Sequence, residues 1–600
     1  MAAAHVLDYV LYGLLMGLGV AQGLYVWCRR RRGHDERHET FLGGQSLGVL
    51  PLAVSVLVST AKPLGLVALT AHFYAYGMHV AWSVLLTVSA MPLVVYFVVP
   101  VFYRLGVTSI FEYIRMRYNA FISLTACAIY LILMQNVGAA LIFSAALTSS
   151  TIFGIPVTAA SIMFGLVGTY YAAVAGLRGV VWTDCLQALI TMLAPLVIIG
   201  KVAYDSTVGS LPLRPWDDLQ VDKYILDVSF DLTKEENVWS CLVGGAASFL
   251  YRSGFDQMVL QRYLASKNLN AAQRTAIVGA LFSALYYLVL MAAAGAMIYR
   301  FRDCDPLLSK SISNIDQLLP FYVKRELAPL LGFSGIFLAG VVSSSTSAAS
   351  SIVNSQAAVL YVDVVAQYFP ITEKWASRTT KALAFASGII MTAYSLAVPF
   401  IGSTMRIFLL INSAVTGPFV GLLVLAILFP FANSKGAGAA ACLTIAFQVW
   451  HMIGRLHSGI LPDRMPVTLE HCPDNTTALA VMQNLTNVED AERYEDVFML
   501  YRLSSFWSSF FSVIATILIG IVISLLTGGR KSASMHEHLV DDKLRSAWRK
   551  TTRRDGSHKE EQTPRETEST SRTPHVPAVD EPTFIIDREE LERLTKETQV

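Results

Sequence analysis

The chain has 600 residues, of which 54% are hydrophobic and only 15% charged, with a formal net charge of +2. Apolar residues gathered into stretches of about 20 describe a polytopic all-α membrane protein rather than a water-soluble core. Basic residues are dispersed between these stretches, which excludes a nucleic-acid footprint, and the sequence shows no metal-ligand cluster, nucleophile with its base, or phosphate-binding loop of an enzyme.

Apolar windows predict thirteen spans, starting near residues 7, 48, 80, 120, 155, 181, 236, 276, 329, 380, 405, 437 and 503. The first lacks a basic leader and is followed by the run 29–32 of arginines, as in a span whose carboxyl end is inside rather than a signal peptide. An outside amino terminus puts the basic stretches 29–37, 104–117 and 252–274, with Arg178, on the cytoplasmic side. The outer loops near 72–79, 149–154 and 401–405 contain no Lys or Arg, so charge asymmetry sets the orientation.

Near the middle of the second span, within residues 49–73, stands Lys62-Pro63. A cation at that depth costs from ~3 to more than ~10 kcal/mol unless it faces a cavity or a partner. Proline disfavours helix at the residue before it, so the sequence predicts a break where the charge sits. The spans 48–204 and 236–430 form two sets of five, and the second also opens on an interruption, Gly244-Gly245. Corresponding breaks in two halves point to a transporter's central site, and an odd number of spans per set gives the halves opposite orientation. Two packing glycines explain Gly244-Gly245 equally well.

The ninth span carries Ser343-Ser344-Ser345-Thr346-Ser347, then Ser350, Ser351 and Asn354. At helical spacing Ser344, Ser347 and Ser351 share a face whose oxygens suit a hard cation such as sodium, or whose small size suits close helix contact. Gln135, Asn136, Asn412, Ser413 and Thr416 lie at depths suited to lining a cavity or to interhelical hydrogen bonds. His72 and His79 read as solvated residues at a loop edge.

The only sequons, at Asn475 and Asn484, share one predicted outer loop, as glycosylation requires. Of the seven cysteines, Cys304 and Cys472 alone fall in outer loops, and that oxidising compartment predicts a disulfide between them. Beyond Gly529 the chain turns to Lys, Arg, Glu, Thr and Ser, a disordered cytoplasmic tail. Its end, Glu597-Thr598-Gln599-Val600, has a form that PDZ domains hold by strand addition. The domains are therefore 1–40 (extracellular terminus, first helix and basic inner loop), 41–204 and 236–430 (the two repeats), 437–527 (two further helices with the glycosylated loop) and 528–600 (the tail).

Five stretches stand out: Pro100-Val101-Phe102-Tyr103-Arg104-Leu105 running to Glu112-Tyr113, Gly176-Leu177-Arg178 leading to Trp182-Thr183-Asp184, Gln261-Arg262-Tyr263-Leu264, Asp305-Pro306-Leu307-Leu308, and Gly417-Pro418 leading to Phe429-Pro430-Phe431-Ala432-Asn433. Together they resemble the sodium:solute symporters, in particular the multivitamin, monocarboxylate and iodide carrier group. The resemblance, over residues 7–527, implies a LeuT-like fold of inverted five-helix repeats with an additional first helix, working by alternating access. It carries the family's sodium ligands onto the carbonyls of Val58 and Ala61 and the hydroxyls of Ser344 and Ser347, and an acidic residue beside the inward ion route onto Asp184. It departs at Ala348, where the family has a further hydroxyl, and at Lys62, where the iodide-carrier group has serine.

Three readings of Lys62 stay open: a resident cation replacing sodium, with sodium-independent or proton-linked transport; a partner for an organic carboxylate, with sodium retained; and a charge neutralised by Asp184. The sequence thus points to a plasma-membrane carrier that needs no cofactor and couples a small organic anion, a monocarboxylate or vitamin carboxylate, to sodium. A non-transporting solute sensor is the competing class.

Overall fold

Helix is the repeating element among the described residues of the computed structural model, which are 6–17, 45, 47–61, 65–107, 109–208, 221–301, 303–369, 372–400, 404–460, 462, 464–469, 472, 497–528, 539–540 and 546. Lys62, the sequons Asn475 and Asn484, and Thr598, Gln599 and Val600 lie outside them. Among the described residues nine helices are long and apolar enough to cross a membrane, or ten with one bent pair counted as a span. The shorter apolar helix α1 (Val6–Gly17), the segment Val157–Tyr170 and an interrupted stretch around residue 250 fall at three further positions where the sequence predicts spans.

The bent pair is α2 (Val49–Ala61) and α3 (Gly65–Tyr76), whose axes meet at 54°. After α4 (His79–Leu105), Ser109 caps the short helix α5 (Ile110–Arg117) by accepting from the Phe111 amide. Asn119 does the same for α6 (Ala120–Phe153), which ends on Gly154 at φ 72°, a left-handed stop that glycine adopts without strain. The next element, α7 (Val157–Val208), joins two predicted spans in one helical run. A straight helix of its 52 residues would reach about 78 Å, far beyond one bilayer. Its two arms instead meet the same stretch of the serine-rich helix Phe333–Tyr368. Gly168 lies beside Thr346 and Ala349, while Gln187 bonds Ser343 and Ile190 lies beside Gly340.

The second set opens with short turns, Ser240–Gly244, Ala246–Leu250 and Tyr251–Phe255, before α8 (Gln257–Leu264). Here the structure corrects the sequence. Gly245 keeps helical angles, and Gly244 is a packing glycine, since an added Cβ would come within 2.9 Å of Phe506. The break falls at Asp256, which is extended (φ −73°, ψ 119°) and caps α8 through the Met258 amide. Helices α9 (Leu269–Phe301), α10 (Phe333–Tyr368), α11 (Glu373–Ala397) and α12 (Thr404–Leu428) complete the set, followed by α13 (Ser434–Ser458) and α14 (Ser505–Leu526).

Burial follows the pattern of a protein in lipid. Leu193, Ile389, Leu518 and Leu526 are exposed, whereas Ser512, Thr516, Gly520 and Ser524 of α14 are buried along one face. That small-residue face receives Gly417, Gly421 and Gly436, each too close for a side chain. Close backbone approach of this kind replaces the hydrophobic driving force that is missing between helices in a bilayer. At the end of α12, Arg117 donates to the carbonyls of Ala426, Phe429 and Pro430, matching a cation to the negative end of that helix. The predicted disulfide is formed: Cys304 and Cys472 are joined, with Cα atoms 5.0 Å apart.

Candidate functional site

A cavity of about 200 Å³ is lined by Thr60 and Gly65, which flank the first break, and by Arg252 and Ser253, which precede the second. Its described walls are mainly apolar, among them Val56, Leu69, Phe249, Phe408 and Phe506, with hydroxyls from Thr60, Ser248 and Ser283 and the amide of Asn412. Arg252 is the only Lys, Arg, Asp or Glu among the described lining residues. Its Nη2 donates to the carbonyls of Ser59 and Thr60, both at 3.0 Å, and its Nη1 to Asp256 Oδ2 at 3.1 Å. One guanidinium therefore ties the end of α2 to the break before α8. Three of its five N–H groups are engaged, and the other two have no partner among the described residues. The sequence places Arg252 with the cytoplasmic basic stretch, because hydropathy windows do not show that the chain turns back at this depth.

A second cluster is sealed from solvent. Asp184 on α7 accepts from Ser55 Oγ at 2.6 Å and from Ser347 Oγ at 3.1 Å, and Arg262 Nη2 lies 3.4 Å away. Arg262 also donates through Nε to Ser55 at 2.7 Å and through Nη1 to the Met258 carbonyl. The carboxylate partner that the sequence offers to Lys62 is thus already held by Arg262. Four elements converge here, α2, α7, α8 and α10, two from each repeat.

Of the expected cation ligands, Ser347 touches this cluster directly. Val58 is buried in the last turn of α2, and Ala61 is its final residue. Ser344 and Ser347 are buried on α10. Ser344 donates its hydroxyl proton to the Gly340 carbonyl and Ser347 gives its own to Asp184, which leaves oxygen lone pairs on both. Ala348 is buried and brings no oxygen.

The five residues expected along the cavity are separated by the structure. Asn412 lines it and donates to Ser248 Oγ at 3.2 Å. Gln135 instead bonds Gln356 and the Ser387 carbonyl, Asn136 accepts from Tyr394, and Thr416 pairs with Ser509 on α14. Ser413 is buried, and its hydroxyl has no partner among the described residues. The histidines are not solvated either. His72 is buried in α3 with Nε2 3.0 Å from Glu236, and buried His79 accepts from the Asp227 amide.

Away from the cavity and the Asp184 cluster, Arg455 lies 2.9 Å from Glu235, which also accepts from Ser505. Burial alone would raise the Glu235 carboxyl, but Arg455, the Ser505 hydrogen bonds and Arg406 outweigh it and hold the group at about 2. Asp305 accepts from Tyr74 of α3 and from two amides of its own turn, beside the disulfide. Sequence reading singled out Arg262 and Asp305 only as parts of motifs, and Arg252 not at all as a site residue.

A broken first helix, a small cavity beside Arg252 and a buried Asp184–Arg262 pair are set among helices long and apolar enough to cross a membrane, the architecture of a membrane carrier. The sodium:solute symporter family model matches residues 40–443, and the chain belongs to that family. Mouse sodium-coupled monocarboxylate transporter 2 is 28% identical over 555 residues, covering 89% of this chain and 86% of the relative. The sodium-dependent multivitamin transporter of Oryctolagus cuniculus is 28% identical over 533 residues, covering 87% and 83%. The solved structure of a Na+-coupled sialic acid symporter superposes with a TM-score of 0.68 at 18% identity, covering 87% of this chain and 98% of that one, which identifies the fold as LeuT-like. This chain is accordingly a multi-pass membrane symporter with sodium as its coupling ion.

Proposed function

We propose that the protein couples sodium entry to uptake of a small organic anion, a monocarboxylate of a few carbons, by alternating access at the plasma membrane. The observation that carries the substrate class is Arg252, a guanidinium with two uncommitted N–H groups on the wall of an otherwise apolar cavity. A planar fork of donors matches a carboxylate, and apolar walls match a short carbon chain. The volume supports one of the two expected classes. Drug-sized ligands occupy roughly 300–1,000 Å³, so a space of about 200 Å³ favours a monocarboxylate over a vitamin the size of biotin. The names of the monocarboxylate relatives agree with this choice.

In this reading sodium binds through the carbonyls of Val58 and Ala61 and the hydroxyls of Ser344 and Ser347, with Asp184 beside the inward route. Positive-inside charge supports an outside amino terminus and a cytoplasmic tail, with glycans on Asn475 and Asn484 and the last residues, Thr598 to Val600, offered to a PDZ domain.

The test is uptake of labelled lactate, nicotinate, biotin and pantothenate by cells expressing the protein, in sodium or in an impermeant replacement cation. Sodium-dependent accumulation of the two smaller acids is expected. Accumulation indifferent to sodium would return the Lys62 cation reading, and saturable binding without accumulation would make the protein a sensor.

A further inference from the structure

A helix leaves its last four carbonyls without amide partners and carries about half a negative charge at that end. In α2, which ends at Ala61, these are the carbonyls of residues 58–61. Two of them, Ser59 and Thr60, converge with the Asp256 carboxylate on the Arg252 guanidinium, at 3.0, 3.0 and 3.1 Å. Two backbone carbonyls and a carboxylate are the oxygen donors that a hard monovalent cation takes. The guanidinium is buried enough for this charge to matter, its side chain being 17% exposed, while that of Asp256 is 1% exposed.

We propose that Ser59, Thr60 and Asp256 form a cation site whose occupant is built into the chain as Arg252. The site is separate from the Val58, Ala61, Ser344 and Ser347 ligand set, which uses the two remaining carbonyls of the same helix end. A covalently attached cation neutralises the facing helix end and carboxylate in every state of the carrier without being drawn from solution. Sodium is therefore bound at one site fewer than the oxygen ligands alone would permit. Removing the side chain's charge leaves the three oxygens facing one another, and a sodium ion then fills the place.

Purified full-length protein in detergent tests this without substrate, by thermal unfolding across a sodium series with choline holding ionic strength. Stabilisation by a ligand grows with the logarithm of its concentration once per bound ion, so the slope counts sites. Arg252→Met is expected to steepen the sodium slope by one ion, about two-fold if the parent binds one. Arg252→Lys keeps the parent slope, because an ammonium serves the same oxygens as a point charge. Asp256→Asn added to Arg252→Met returns the slope to the parent value. A folded Arg252→Met with the parent slope overturns the proposal. If that variant does not survive purification, Arg252→Lys decides, and its failure to fold would show that the planar fork, not the charge, is required. The assay contains no organic anion, so its outcome is independent of the substrate class proposed above.

Discussion

The Arg262 guanidinium lies 3.4 Å from the Asp184 carboxylate, with Ser55 bonded to both. Both side chains are 2% exposed, so neither charge has water as an alternative partner. Removing one member of such a pair strands the other, at a cost of about 3–5 kcal/mol, whereas removing both leaves no buried charge. Arg262→Met is expected to lower the unfolding temperature strongly, and Arg262→Met with Asp184→Leu to recover about 2 kcal/mol of that loss. Thermal unfolding of the two singles and the double measures the coupling, and strictly additive losses would refute it.

Glu235 gives the stability of the fold a pH dependence. Its carboxyl is held at about 2 in the folded protein against an ordinary value of 4.5. A depressed carboxyl contributes stability that is complete above the unfolded value and lost as pH falls through the folded one. The contribution is about 3 kcal/mol at neutral pH and declines between about pH 5 and pH 2. Unfolding measured across that window should show a steeper acid loss in the parent than in Glu235→Gln.

Ala348 follows Ser347 on α10 and is buried where the family resemblance expects a hydroxyl. Ala348→Ser supplies the missing oxygen at a cost of one added atom. It is expected to lower half-saturating sodium about five-fold, the equivalent of about 1 kcal/mol for one added ligand. Sodium titration of uptake checks this. An unchanged sodium requirement would mean that the register carried over for Ser344 and Ser347 is wrong.

Hydropathy and charge in the sequence were enough for the membrane class, the two sets of five and the first interrupted helix, because the bilayer admits only apolar spans with internally bonded backbone. Pairing Cys304 with Cys472 was also legible, since topology alone brings the two outer loops to one face. The second break was misplaced at Gly244-Gly245 because glycine signals close packing as readily as a bend. The actual interruption uses Asp256 as a cap, and only its backbone angles reveal that.

The sequence by itself determined that a lysine stands at the first interruption and that serines crowd the ninth predicted span. It did so through rare residues whose cost in lipid demands a reason. Tertiary structure decided which charges meet. Asp184 is paired with Arg262, 78 positions away, and the carbonyls of α2 are held by Arg252, more than 190 positions away. Those pairings follow from the two repeats packing their breaks together, an arrangement that leaves no local periodicity in the chain.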